Sequence, residues 1–264
     1  MLVADYHNHP QAHRTDLPYS QKLLQAWADR ARELGLKDLA FTDHDRYKAG
    51  FSFDEIELLQ QNNQDIQFRA GIELDNDPET SADGRAWVEK NWDKLDFVLG
   101  SVHFVKDFAF DHPHYIDQYQ KHDINDLYRE YYTNIMAIAS SGLVDSMAHL
   151  DLIKIFKFFP TENLDELYHD VLDLIKAKDI SMEISTAGLR KPIGEIYPDK
   201  KLIQMAIDKG ISFTIAGDAH AAHDLCHNYD KLEALLKQMD ITEVAVYQKH
   251  QKILVPALVT PCAK

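Results

Sequence analysis

The sequence predicts an α/β protein built from repeated βα units. Three observations predict it: seven short, almost continuously apolar runs, segments of helical period between them, and glycines that close several of those segments. Runs of that kind suit strands covered on both faces, as in a parallel sheet.

The runs fall at residues 2–6, 38–42, 66–74, 97–102, 143–149, 180–184 and 211–216. After the first, residues 20–34 carry Leu23, Leu24, Trp27, Ala31 and Leu34 on one helical stripe that Gly35 ends. Residues 125–141 repeat the pattern with Leu127, Tyr131, Ile135 and Ile138, stopped by Gly142. Residues 164–178 place Leu164, Leu167, Val171, Leu174 and Ile175 at helical spacing. Residues 202–209, ended by Gly210, and 229–239 read as shorter helices. Segments 75–92 and 106–123 read as loop insertions, and residues 244–247 of the tail as an added strand.

No repeat, low-complexity tract or linker divides the chain, so its 264 residues read as one domain, 1–264. With 28 Lys and Arg against 43 Asp and Glu the formal charge is −15, which argues against wrapping a nucleic-acid polymer. No apolar run approaches the roughly 20 residues of a membrane span, and Met1 leads straight into a strand-like segment rather than a signal peptide. Two cysteines, Cys226 and Cys262, are too few for a disulfide framework. A cytoplasmic protein is expected.

The unusual feature is 14 histidines and where they stand. The first run ends in His7-Asn8-His9, the second in Thr42-Asp43-His44, the third in Gly71-Ile72-Glu73. The fourth ends in Ser101-Val102-His103, the fifth in His149-Leu150-Asp151, the seventh in Gly217-Asp218-Ala219-His220. In a βα barrel the carboxyl ends of the strands converge on one face, where active sites are built. Six of the seven strand ends therefore deliver His, Asp or Glu to one mouth. Imidazole with carboxylate is the donor set of zinc, iron or manganese. A carboxylate such as Glu73 can bridge two ions, and several ions can lower the pKa of a shared water. A lone His-x-His pair or a single strand-end Glu is more often solvated or hydrogen-bonded; the joint arrangement carries the reading. His112, His114, His122, His169, His223, His227 and His250 read as surface or loop residues.

These motifs, together with Asp5-Tyr6 before His7 and Ala148 before His149, resemble the motif set of the PHP (polymerase and histidinol phosphatase) superfamily from Asp5 to His220. The resemblance implies a distorted (β/α)7 TIM-like barrel, the PHP fold, with two or three divalent metal ions. It implies His7, His9, Glu73 and Asp218 as ligands of one ion. Glu73 would bridge to a second, completed by His103 and His149. His44 and His220 would hold a third with a residue from the loop after His9. The family places that ligand eight residues beyond its first His, where Thr15 stands; His13 is the nearest candidate and Asp16 the next.

Three segments are similar to the histidinol-phosphatase branch: 100–105, 149–154, and 183–192 with Glu195 and Tyr197-Pro198 following. The resemblance implies hydrolysis of a phosphomonoester, L-histidinol phosphate, to L-histidinol and phosphate. Arg190 then reads as a bidentate grip on phosphate oxygens, which a lysine does not reproduce. Lys154 stands where the branch carries a basic residue, and Ser101 joins the two as substrate-binding. Glu73, Asp218 and Arg190 are the expected catalytic residues. Two rival readings stay open: a PHP phosphoesterase acting on another small phosphate or nucleotide, and a structural metal-binding module that hydrolyses nothing.

Overall fold

In the computed structural model, which describes residues 2–258, seven parallel strands lie side by side in chain order. They are β1 (Ala4–Asp5), β2 (Asp38–Phe41), β3 (Gln67–Leu74), β4 (Phe97–Gly100), β5 (Ser146–Met147), β6 (Ser181–Ser185) and β7 (Phe213–Ala216). The Tyr6 N–H donates to the Ile215 carbonyl at 3.0 Å and the His9 N–H to the Ala219 carbonyl at 2.8 Å, so the last strand meets the first. The result is the expected seven-stranded barrel. Every residue of β2, β4, β6 and β7 is buried, the physical counterpart of the continuous apolar runs.

Paired strands are shorter than the runs because their last residues bend into the barrel mouth. At the end of the 143–149 run His149 adopts φ +21°, and only Ser146–Met147 pair with neighbours. Asp218, two residues beyond β7, adopts φ +53°. Both residues hold their side chains at the mouth in a conformation that non-glycine residues rarely take.

Helices α1 (Gln21–Leu34), α4 (Ile124–Ser140), α5 (Asp165–Ala177), α6 (Lys200–Asp208) and α7 (Tyr229–Gln238) lie within two residues of the expected spans. Ser20 caps α1 by accepting the Leu23 N–H at 3.3 Å, and Gly35 ends it at φ +74°, a left-handed turn that favours glycine. Two further helices were not legible. Helix α2 (Phe53–Asn62) buries only Ile56 and Leu59. Helix α3 (Ser81–Asn91) occupies most of a segment expected as a loop, and buries only Gly84 and Val88. Two buried positions leave no apolar stripe to detect.

The second expected loop is also built. It opens in a hairpin of Phe104–Val105 with Phe108–Ala109 and continues as a 3-10 helix, Pro113–Lys121. The expected tail strand is β8 (Glu243–Gln248), paired antiparallel with β9 (Gln251–Pro256). From it Tyr247 reaches into the end of the barrel opposite the mouth. There its hydroxyl meets Ser181 Oγ at 2.6 Å and donates to the Asp145 carbonyl at 2.9 Å, while its N–H donates to Tyr6 Oη at 2.7 Å. Arg69 seals the same end through two hydrogen bonds to the Asp38 carboxylate, at 2.9 and 2.6 Å. No helix among the described residues is long and apolar enough to cross a membrane. Cys226 is half-buried; Cys262 lies outside the described residues.

Candidate active site and metal centre

All nine side chains expected as metal ligands line one cavity of about 280 Å³ at the barrel mouth. Glu73, near the end of β3, is its centre and is fully buried. Oε2 of Glu73 faces His44 Nδ1 at 3.0 Å, His7 Nε2 at 3.2 Å and His9 Nε2 at 3.5 Å. Oε1 faces His149 Nε2 at 3.6 Å and His103 Nε2 at 3.8 Å. One carboxylate thus divides five imidazoles, drawn from four segments, between its two oxygens. Asp218 Oδ1 lies 3.2 Å from His9 Nε2, 3.6 Å from His220 Nδ1 and 3.8 Å from His7 Nε2.

The loop after His9 brings its histidine into the cluster. His13 Nε2 stands 2.9 Å from His220 Nε2, whereas Asp16 is exposed and paired with Arg14 at 2.9 Å. Of the two candidates from that loop, His13 is the one the geometry puts in reach. Among the described residues, four groups place their ligand atoms close enough to share a cation: His7, His9 and Asp218; His7, Glu73 and His149; His9, His13 and His44; His44, Asp75 and His103.

The electrostatics suit that use. Burial pushes the Glu73 carboxyl up, but the His44 and His7 imidazoles outweigh it and hold the group well below the carboxylate range. Asp218 is likewise held low, His7 and His220 outweighing burial. Burial, with His44 and His220 adding to it, lowers His13 to about 3, and burial with His220 lowers His9 too. Ionised carboxylates and neutral imidazoles are the forms that ligate. His103 and His7 are pulled the other way: against the effect of burial, Asp75 raises His103 to about 10, and the Glu183 and Glu73 carboxylates raise His7.

Burying such groups unpaired is costly. Yet His7 Nε2 and both Glu73 oxygens lack a hydrogen bond of good geometry. A cluster of divalent cations among these atoms would satisfy them, so the residues present fit the group that the resemblance implies.

The phosphate contacts expected from the sequence lie elsewhere. Arg190 is not part of the cavity lining. Its Nη2 donates to the Gly217 carbonyl at 2.6 Å and the Asp218 carbonyl at 3.0 Å, which pins the turn carrying Asp218, while its buried Nη1 has no hydrogen-bond partner among the described residues. Lys154 is buried between Asp151 at 2.8 Å and Glu195 at 2.9 Å, beside a separate pocket walled by Tyr128, Tyr132 and Tyr168. Ser101 is buried behind His103, its Oγ 3.4 Å from His103 Nδ1. The cationic side chains that line the cavity are Arg46 and Lys191.

Sequence reasoning missed those two, and Asp75, Glu183, Asp111 and His112 besides. Asp75 had a signal, since it stands two residues after Glu73 and so shares its side of the chain. Its Oδ1 lies 3.1 Å from His103 Nδ1. Asp111 and His112 line the cavity from the built insertion, which has no periodic signal; His112 is thus no idle loop residue. His250 is also not a free surface residue: its ring stacks on Trp92 with centroids 3.6 Å apart.

The model of the PHP domain family matches residues 5–187. A Deinococcus radiodurans protein named probable histidinol-phosphatase is 30% identical over 95% of this chain and 98% of its own length. The histidinol-phosphatase of Bacillus subtilis is 24% identical over 80% of this chain and 92% of its own. Among solved structures, the histidinol phosphate phosphatase of Lactococcus lactis, crystallised with zinc, L-histidinol and phosphate, superimposes with a TM-score of 0.75 at 21% identity. That match covers 95% of this chain and 98% of the other. The order of strand-end ligands, the barrel that gathers them and a family match over most of the length agree: this chain belongs to the PHP domain family.

Proposed function

We infer that this protein is a metal-dependent histidinol-phosphatase, hydrolysing L-histidinol phosphate to L-histidinol and phosphate as a single cytoplasmic domain, residues 1–264. The observation that carries the chemistry is Glu73, one buried carboxylate dividing five imidazoles at the floor of a small open cavity. The relative that matches nearly end to end supports the substrate.

His7, His9, Glu73 and Asp218 would hold one divalent ion, Glu73, His103 and His149 a second, and His13, His44 and His220 a third. Zinc, manganese and iron all suit these donors. When bound, such ions supply Lewis-acid charge for phosphoryl oxygens and lower the pKa of water. The chain's own part is to position and to discriminate. Arg46 and Lys191 present positive charge at the cavity wall, which draws in a phosphate dianion despite the net charge of −15. Arg190 keeps the Asp218 turn in its left-handed form.

Asp111 faces the same cavity with no hydrogen bond or ion pair among the described residues. A carboxylate there repels phosphate, so its use lies with the substrate's ammonium group. The test is phosphate release from L-histidinol phosphate, an amine-free phosphate ester and nucleoside monophosphates, before chelation, after it and after metal add-back. Release that is strongest with L-histidinol phosphate, lost on chelation and restored by add-back is expected. A nucleotide as the best substrate, or indifference to chelators, would overturn the reading.

A further inference from the structure

Glu183 is the middle residue of β6, the one strand from which the sequence offered no metal ligand, and it is fully buried. Both its oxygens are engaged. Oε2 lies 2.9 Å from His7 Nδ1, and Oε1 accepts the backbone N–H of His149 at 3.1 Å. The two residues it holds both have ligand atoms beside the Glu73 carboxylate, one toward each of its oxygens. On the far side of the His149 peptide, Tyr131 Oη donates to the His149 carbonyl at 3.2 Å, so this left-handed residue is held at its amide and its carbonyl.

We propose that Glu183 is a positioning residue that selects the metal-binding tautomer of His7 and fixes the backbone of His149. An ionised carboxylate only accepts hydrogen bonds. His7 turns Nδ1 to Glu183 and Nε2 toward Glu73 and Asp218, so a ring that ligates through Nε2 carries its proton on Nδ1, where Glu183 accepts it. A partner that orients the far nitrogen of a ligating histidine typically changes metal affinity by roughly 10- to 100-fold.

Glu183→Gln separates the two functions. Its amide oxygen can still accept the His149 N–H. Its NH2 then meets His7 Nδ1 as a donor, which drives the ring proton to Nε2 and blocks ligation there. The inference rests on the metal-binding reading, so wild type and variant are titrated in parallel with Zn²⁺ against a chromogenic chelator, and bound metal is counted. The expected result is a loss of one bound ion per chain, or a 10- to 100-fold weakening of one site. The metal-free melting temperature should stay close to that of wild type. A wild type that binds no zinc overturns both readings; a variant that binds as tightly as wild type overturns this one alone. If Glu183→Gln fails to fold, the ¹⁵N shifts of the His7 ring in zinc-loaded wild type decide. A protonated Nδ1 supports the assignment, and a protonated Nε2 refutes it.

Discussion

Glu73 concentrates the chemistry of the mouth on two oxygen atoms, with imidazole nitrogens between 3.0 and 3.8 Å from them. Glu73→Ala should strip bound metal and abolish phosphate release. A variant with full metal content and activity, measured by elemental analysis and turnover, would remove Glu73 from its bridging role. Arg190 makes a subtler case. The sequence suggests a direct grip on phosphate, whereas its guanidinium is tied to the carbonyls of residues 217 and 218. Arg190→Ala should therefore lower metal content as well as raise KM, because the turn holding Asp218 loses its anchor. A raised KM at unchanged metal content would instead return Arg190 to direct phosphate contact.

At the scale of elements, the strands present ligands and the helices brace them. Helix α3 shows how closely the two are fitted. A Cβ at Gly84 would sit 1.7 Å from Asp45 Oδ2 and 2.6 Å from Asp45 Cγ, and Asp45 is fully buried next to His44. Helix propensity alone would make Gly84→Ala stabilising by about 1 kcal/mol. The overlap should win, because overpacking a buried site costs roughly 1–3 kcal/mol. Net destabilisation of the metal-free protein in urea is expected, and a gain in stability would show that Asp45 moves aside freely. The same element exposes the limit of pattern reading. With two buried positions in 11 residues, α3 gives no amphipathic signal, while α1, with Leu24, Trp27, Ala28 and Ala31 buried, stands out.

Across the whole molecule, a net charge of −15 surrounds a site built to receive cations. Ligand that binds only the folded state adds stability by mass action, about 4 kcal/mol at 1,000 times its dissociation constant. Chelation should accordingly lower the melting temperature, and add-back should restore it; a melting temperature indifferent to both would count against ions bound in the fold. At the opposite end, His250 ties the tail hairpin to the barrel. Its Nδ1 lies 2.8 Å from Asp145 Oδ2 and its Nε2 2.9 Å from the Trp92 carbonyl, so both nitrogens face acceptors. Partial burial opposes the charge, but Asp145 outweighs it and raises the group above its ordinary 6.5. A raised pKa in the folded state means the contribution is complete below about pH 6.5 and is lost as pH rises through the folded value. The stability difference between wild type and His250→Gln should therefore shrink between pH 6 and pH 9 in urea unfolding. A constant difference would assign the residue to packing alone.

The sequence by itself determined the order of the strands and the identity of the mouth. Continuous burial on two faces writes itself as apolar runs, and the strand-end histidines and carboxylates follow directly from those runs. Its choice of His13 also stands in the cluster. What only the tertiary structure decided are relations between distant segments. Glu183 meeting His7, Arg190 turned onto the Asp218 carbonyl, Lys154 taken up by Asp151 and Glu195, and Asp111 facing the cavity are such relations. Local pattern fixes where a side chain leaves the backbone; which partner a long charged side chain reaches depends on the surface that folding brings against it.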